Sequence, residues 1–335
     1  MDFNLSGPHI GTRDTIEKTM WNVALALLPA AAAALIYFGP YSLYLIFGTA
    51  IFARILELPF TKDNLLGDGS AVVTGMLLGM SIPANSPFWL PLVGAFFAII
   101  AAKQLFGGLG NNIFNPALAG RAVIRLSFPA YFADWPAPFD ALSSATPLAQ
   151  RAADSSYTYL SENGIIGLWN LFIGNIPGAV GEVSALALII GAAYLFYKGY
   201  IDWRIPGSFL GAVAVMSILL GVNPLFYILS GAVVLGAFFM ATDMVSSPSA
   251  KEGRIAFGAG CGFLTVVIRY FSSYSGGVTF AILSMNAVSY LLDHLFEGFH
   301  FGEYQIRKKN YKILGTAALS ALIIIGFSYL ASIIS

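Results

Sequence analysis

The stretch MWNVALALLPAAAAALIYF, residues 20–38, decides the fold. It carries no charge, and its length is close to the roughly 20 helical residues that cross a bilayer core of about 30 Å. Lipid offers no water to an unpaired N–H or C=O. A spanning segment must therefore satisfy its own backbone, and a helix does so. Working outward, apolar runs recur at about 41–58, 70–82, 88–106 and 114–128, then at 182–198, 206–221, 225–241, 254–271 and 278–296, with a last run at 312–333. The pattern predicts a helix over each.

Composition agrees with that reading. The 335 residues are 57% apolar and 10% charged, against about 25% charged in a typical soluble domain. Lys plus Arg (17) balance Asp plus Glu (17), so there is no electrostatic case for nucleic acid. The opening MDFNLSGPHIGTRDTIEKTM is polar and has neither the apolar core nor the small-residue cleavage site of a signal peptide. Cys261 stands alone, so it makes no disulfide, and an iron–sulfur cluster normally takes four thiolates. His9, His294 and His300 do not face one another at membrane depth, which argues against a bis-His haem. Electron transfer here would require an organic cofactor or clusters held by partners.

Lys and Arg set the expected orientation. With the N-terminus inside, Arg13, Lys18, Arg54, Lys62, Lys103, Lys198, Arg204, Lys251, Arg254, Arg307, Lys308, Lys309 and Lys312 fall on or near the cytoplasmic side. Arg151 and Arg269 fall outside, and Arg121 and Arg125 lie within the fifth helix. The segment 129–164 is then extracytoplasmic.

The two sets of five helices are related in pattern. TGMLLGMSIPANSPFWLPLVGA (74–95) aligns with LGAFFMATDMVSSPSAKEGRIA (235–256), Gly75 on Gly236 and Pro87 on Pro248. NPALAG after a glycine-rich turn (107–120) resembles MNAVSY after SGG (275–290). Five helices per set start the second set on the opposite side of the membrane, which makes an inverted repeat. Such builds hold small-molecule and ion sites between their halves. The expected fold is an all-α polytopic membrane protein with about ten core helices in two inverted five-helix repeats, plus an extra C-terminal helix. The expected divisions are an N-terminal cytoplasmic segment (1–19), a first repeat (20–128), an extracytoplasmic loop (129–181), a second repeat (182–298), a basic cytoplasmic loop (299–311) and the C-terminal helix (312–335).

Four constellations carry chemistry. In FGGLGNNIFNPALAGR (106–121), Gly107, Gly108 and Gly110 break a helix. Asn111, Asn112 and Asn115 bring amides to membrane depth, and Pro116 suits a helix start. The stretch reads either as a capped turn or as a wall for a flat ligand with hydrogen-bonding edges, such as an isoalloxazine ring. Asp243 in MATDMVSSP is an acid at a helix end. It is either a functional group by position or a surface acid paired with Lys251 or Arg254. Arg54 and Glu57 share a helix face as an ion pair, and Asp68 with Ser70 caps the third helix. Arg121 and Arg125 also share a face, to snorkel or to meet a phosphate. Finally, FDALSSATPLAQRAADSSY (139–157) is a polar, hydroxyl-rich interruption of an apolar chain. Thr146-Pro147 reads as a helix start, and a hydroxyl there also suits a phosphate.

SGPHIGTRDTIEKTMWNVALALLPA (6–30), DGSAVVTGMLLGMSIP (68–83), KQLFGGLGNNIFNPALAGRA (103–122), LSSATPLA (142–149) and MATDMVSSP (240–248) together resemble RnfD, a membrane component of the Rnf complex. They resemble more distantly NqrB of the sodium-pumping NADH:quinone reductase. The likeness covers about residues 5–305. It implies FMN attached through its phosphate to Thr146 by a flavin transferase outside the cytoplasm, within Ser143-Ser144-Ala145-Thr146. Ser144 stands where the family often has glycine. It implies a non-covalent riboflavin near Asn112 and Asn115, and a cation-linked role for Asp243. Arg121 is placed with the flavin site. The implied protein sits in a bacterial or archaeal cell (inner) membrane. Its implied partners are the other Rnf complex subunits (C, G, A, E and B), with ferredoxin and NAD+ reached through them. Electrons would be relayed by flavin and coupled to Na+ or H+ movement. Two other readings remain at this point: a transporter or channel without redox activity, and a flavin-bearing component of another extracytoplasmic electron-transfer system.

Overall fold

The computed structural model describes residues 15–61, 67–139, 143–144, 146–148, 158–271 and 276–296. The basic loop 299–311, the helix 312–333 and Ala145 lie outside the described residues.

The described residues build helices, with a single two-residue pairing of Trp135–Pro136 against Ser143–Ser144. Helix α1 (Ile16–Phe38) starts where the Thr15 side chain accepts from Lys18 N–H, and stops at Gly39, whose φ of 76° turns the chain. Helix α2 (Pro40–Phe60) follows, then α3 (Ser70–Met80) and α4 (Trp89–Phe106). Asp68 accepts from both Ser70 N–H (2.8 Å) and Ser70 Oγ (2.6 Å) at the start of α3. Helix α5 (Pro116–Ser127) is capped by Asn115, with Pro116 at its first position. Helix α6 (Thr158–Ile173) bends at Gly164. It is followed by α7 (Ala185–Lys198), capped by Ser184, and α8 (Arg204–Leu219). Helices α9 (Pro224–Leu229), α10 (233–240), α11 (Lys251–Phe271) and α12 (Gly277–Phe296) complete the described chain.

Among the described residues, five helices are long and apolar enough to cross a membrane: α1, α2, α4, α11 and α12. Shorter apolar helices, Ser70–Met80, Ala185–Lys198 and Arg204–Leu219, stand at three more of the expected positions. Two differences from the sequence expectation have clear causes. The run 225–241 is not one helix. Ser230 is extended and Gly231 has a φ of 61°. Arg269 donates to Tyr227 O (3.0 Å) and Ser230 O (3.2 Å), meeting carbonyls that a continuous helix would have used itself. The second difference is α6, inside the segment read as a loop. Its apolar part, Gly164–Ile173, is far shorter than a bilayer span, so a length criterion passes over it.

Lipid tails are as apolar as leucine, so contact between membrane helices depends on close packing of small residues. Here α1 packs on α7, α2 on α3, α4 on α5, α8 on α11 and α11 on α12. Ala26 and Ala30 of α1 are buried, while Leu25, Leu28 and Ile36 on other faces are exposed. The break after α3 is held by the strand-like run before α7. Gly181 N–H donates to Met80 O (2.7 Å) and Val180 N–H to Ile82 O (3.0 Å). This tether carries Glu182 into the bundle beside α5.

Candidate functional site

Helix α5 is the spine of two polar cavities. Asn115 at its N-terminus lines one, and Arg121 and Arg125 further along line the other. At a rise of about 1.5 Å per residue, Asn115 and Arg125 lie roughly 15 Å apart along the axis.

The first cavity spans about 740 Å³ of space, part of it open to its surroundings. Asn112, Asn115 and Asp243, singled out separately in the sequence, all line it, together with Lys103, Ser70, Thr74 and Thr242. Asn115 holds this site together. Its Oδ1 accepts from Leu118 N–H (3.2 Å), its Nδ2 donates to Met240 O (3.0 Å), and its own N–H donates to Asn286 Oδ1 (3.1 Å). Asn286 Nδ2 in turn donates to Ser246 O (2.9 Å). Asn115 thus acts first as a joint between α5, α10 and α12, with one Oδ1 lone pair left over. Asn112 Nδ2 donates to Phe114 O (3.1 Å).

Asp243 follows the π-helical turn Gly236–Met240, and its Oδ2 accepts from Ser246 Oγ (2.7 Å). π-Turns gather at functional positions in helices. Arg254 is engaged elsewhere, donating to Asp202 (2.8 Å) and to Pro248 O (3.1 Å). Beside the cavity, the expected pair of Arg54 and Glu57 forms at 2.9 Å. Sequence reading missed its third member: buried Lys103 reaches Glu57 at 2.5 Å and also donates to Ser70 Oγ. That residue is 46 positions from Glu57, and no local pattern announces such a pairing.

The second cavity, about 540 Å³ of space with part of it open to its surroundings, is lined by Thr146, Arg121, Arg125, Arg269 and Glu182, with Trp135, Ser230, Gly231 and Thr279. Thr146 directly precedes helical residues 147 and 148, as its Thr-Pro pattern predicts. The arginines of α5 do not snorkel: both are buried. Arg121 pairs with Glu182, and the Arg125 guanidinium sits 5.4 Å from the Phe132 ring centroid. Glu182 and Arg269 were not singled out as site residues from the sequence. Four buried side-chain atoms on this cavity have no hydrogen-bond partner: Arg121 Nε, Arg269 Nε, Ser230 Oγ and Thr279 Oγ1. Among the described residues only Ser86 Oγ and Ser217 Oγ share that condition.

A bundle of apolar helices, with buried polar side chains lining two cavities between them, defines a polytopic α-helical membrane protein. The chain belongs to the NQR2, RnfD, RnfE family, which it matches over residues 4–302. Among its relatives is the D subunit of the Na(+)-translocating ferredoxin:NAD(+) oxidoreductase complex of Acetobacterium woodii. The two are 40% identical, with 91% of this chain and 96% of the relative covered. The D subunit of the proton-translocating ferredoxin:NAD(+) oxidoreductase complex of Clostridium ljungdahlii is 39% identical over 89% of this chain and 95% of its own. The D subunit of the ion-translocating oxidoreductase complex of Ectopseudomonas mendocina is 35% identical over 87% and 93%.

Proposed function

We propose that this chain is the RnfD-type membrane component of an ion-translocating ferredoxin:NAD+ oxidoreductase, carrying FMN on Thr146 and coupling electron relay to Na+ or H+ movement. Its family and relatives support the complex. The observation that carries the cofactor reading is the Thr146 cavity. It combines a hydroxyl, three arginines against one glutamate, and buried donors without protein partners. Those residues fit an anionic phosphate ester. Bound FMN would supply one- and two-electron chemistry. The protein supplies position, charge and exclusion of water. The other Rnf complex subunits (C, G, A, E and B), ferredoxin and NAD+ complete the relay, and a flavin transferase loads the chain.

In this reading the Asn112–Asn115–Asp243 cavity holds the second, non-covalent flavin or the coupling ion. Lys103 supplies a cation at its wall, and Asn115 shapes the wall more than it binds. The two halves are read as an inverted repeat. The packing of α8 on α11 and α11 on α12 parallels that of α2 on α4 and α4 on α5, while α1–α7 and α5–α12 contacts join the halves. Asn115 and Asn286, one from each of the two stretches likened in the sequence, bond each other across the join.

Intact-mass measurement on the purified chain tests the proposal. The wild type should carry one FMN added through a phosphoester, and Thr146→Ala should lack it while remaining in the membrane. Flavin mass retained on Thr146→Ala would sink the assignment. A plain transporter would carry no flavin in either form.

A further inference from the structure

We propose that Arg121, Arg269, Ser230 and Thr279 form a seat for the phosphate of a flavin nucleotide, selecting FMN over riboflavin independently of the covalent bond. The inference rests on the reading of Thr146 as the flavin position and names what holds the phosphate there. Arg121 comes from α5, Ser230 from the break between α9 and α10, Arg269 from α11 and Thr279 from the first turn of α12. All four side chains are at least 94% buried. A buried polar atom without a partner is costly, and here four residues carrying such atoms line one cavity. Two are N–H donors and two are hydroxyls, a set suited to the non-bridging oxygens of a phosphate.

Charge agrees. Three arginines and Glu182 leave a surplus of two positive charges in the cavity. Free FMN, a phosphomonoester, carries about −1.5 to −2 at neutral pH, and the diester formed on Thr146 keeps about −1, so the cavity's charge suits the phosphate before and after attachment. Glu182 anchors Arg121, and the Tyr227 and Ser230 carbonyls anchor Arg269, so both guanidiniums are positioned before any ligand arrives. The N-terminus of α12 adds a favourable dipole beside Val278 and Thr279; the Thr279 N–H itself donates to Gly276 O (3.2 Å), so its hydroxyl is the group left for the phosphate. Gly231 is required beside this seat: its φ is 61°, and a Cβ there would press on Arg269 Nη2 at 3.0 Å.

The test uses the full-length chain with Thr146→Ala, which removes attachment and leaves the seat. Equilibrium dialysis with FMN and with riboflavin should show FMN bound at least about tenfold more tightly, as expected for charge-assisted contacts. Arg269→Gln should erase that preference. Because Arg269 also holds the end of α9, Thr279→Val serves as the second variant. It is near-isosteric, leaves the arginine contacts intact, and should cut the preference about fivefold, as for one lost hydrogen bond. Equal binding of FMN and riboflavin to Thr146→Ala, or an unchanged preference in both variants, overturns the proposal. A phospholipid retained by the wild type and lost in Arg269→Gln, without FMN preference, would give the seat to a lipid headgroup and also overturn it. A wild-type chain without flavin mass would remove the Thr146 assignment, yet leave an FMN preference of Thr146→Ala standing in support of the seat.

Discussion

Asp243 is the residue on which the coupling reading turns. Its carboxylate faces a cavity and accepts from Ser246 Oγ. The surface-pair account needs Lys251 or Arg254, and Arg254 is bound to Asp202 and Pro248 O instead. Asp243→Asn keeps the bulk and removes the charge. In the assembled complex, the variant should retain flavin yet lose most ferredoxin-dependent NAD+ reduction or its ion dependence. An exposed ion pair contributes only about 0–1 kcal/mol, so the rival account makes the substitution nearly silent. Wild-type turnover with unchanged cation dependence would remove Asp243 from the site. Asp243, Asn112 and Asn115 were legible in the sequence because amides and acids at membrane depth stand out from their neighbours. Lys103, Glu182 and Arg269 were harder to read. Their meaning lies in partners far along the chain, Glu57, Arg121 and Tyr227.

At the scale of helices, small residues decide what can touch what. On α7, a Cβ added to Gly191 would collide with the carbonyl oxygen of Ala26 on α1. Backbone cannot yield as a flexible side chain does. Gly191→Ala should therefore separate α1 from α7 and lower stability by about 1–3 kcal/mol, the usual range for overpacking. Gly211 on α8 has nothing within 4 Å of an added Cβ. Gly211→Ala should instead stabilise by about 0.5–1 kcal/mol, since glycine is a poor helix residue. Thermal unfolding in one detergent compares the two, and equal shifts would show that the α1–α7 contact is not this close. The helices themselves were largely legible, because a bilayer-length apolar run has one structural solution. The α9–α10 break was not. The run 225–241 is apolar but for Ser230 and its glycines; Ser230-Gly231 is its one local turn signal, and the Arg269 guanidinium of α11 that takes up the freed carbonyls is invisible to any local pattern.

For the whole molecule, the open quantity is which cavity faces which side of the membrane. The turn between α7 and α8 carries Asp202, flanked by Lys198 at the end of α7 and Arg204 at the start of α8, and Asp202 ties it to Arg254 at the start of α11. Together with Arg54 and Lys103 near the Asn115 cavity, this end holds the positive residues that the orientation rule assigns to the cytoplasm. The segment 129–139 and Thr146 belong to the other end. Asp134 and Trp203 are both exposed, one toward each end. Cys261 is fully buried, and Cys261→Ala provides a thiol-free background. In that background Asp134→Cys should react with an impermeant maleimide on intact cells, while Trp203→Cys should react only after lysis. The reverse labelling would turn the protein over and place Thr146 in the cytoplasm. It would thereby deny a flavin transferase acting outside the cytoplasm any access to its threonine, so the topology and the covalent flavin stand or fall on the same pair of cysteines.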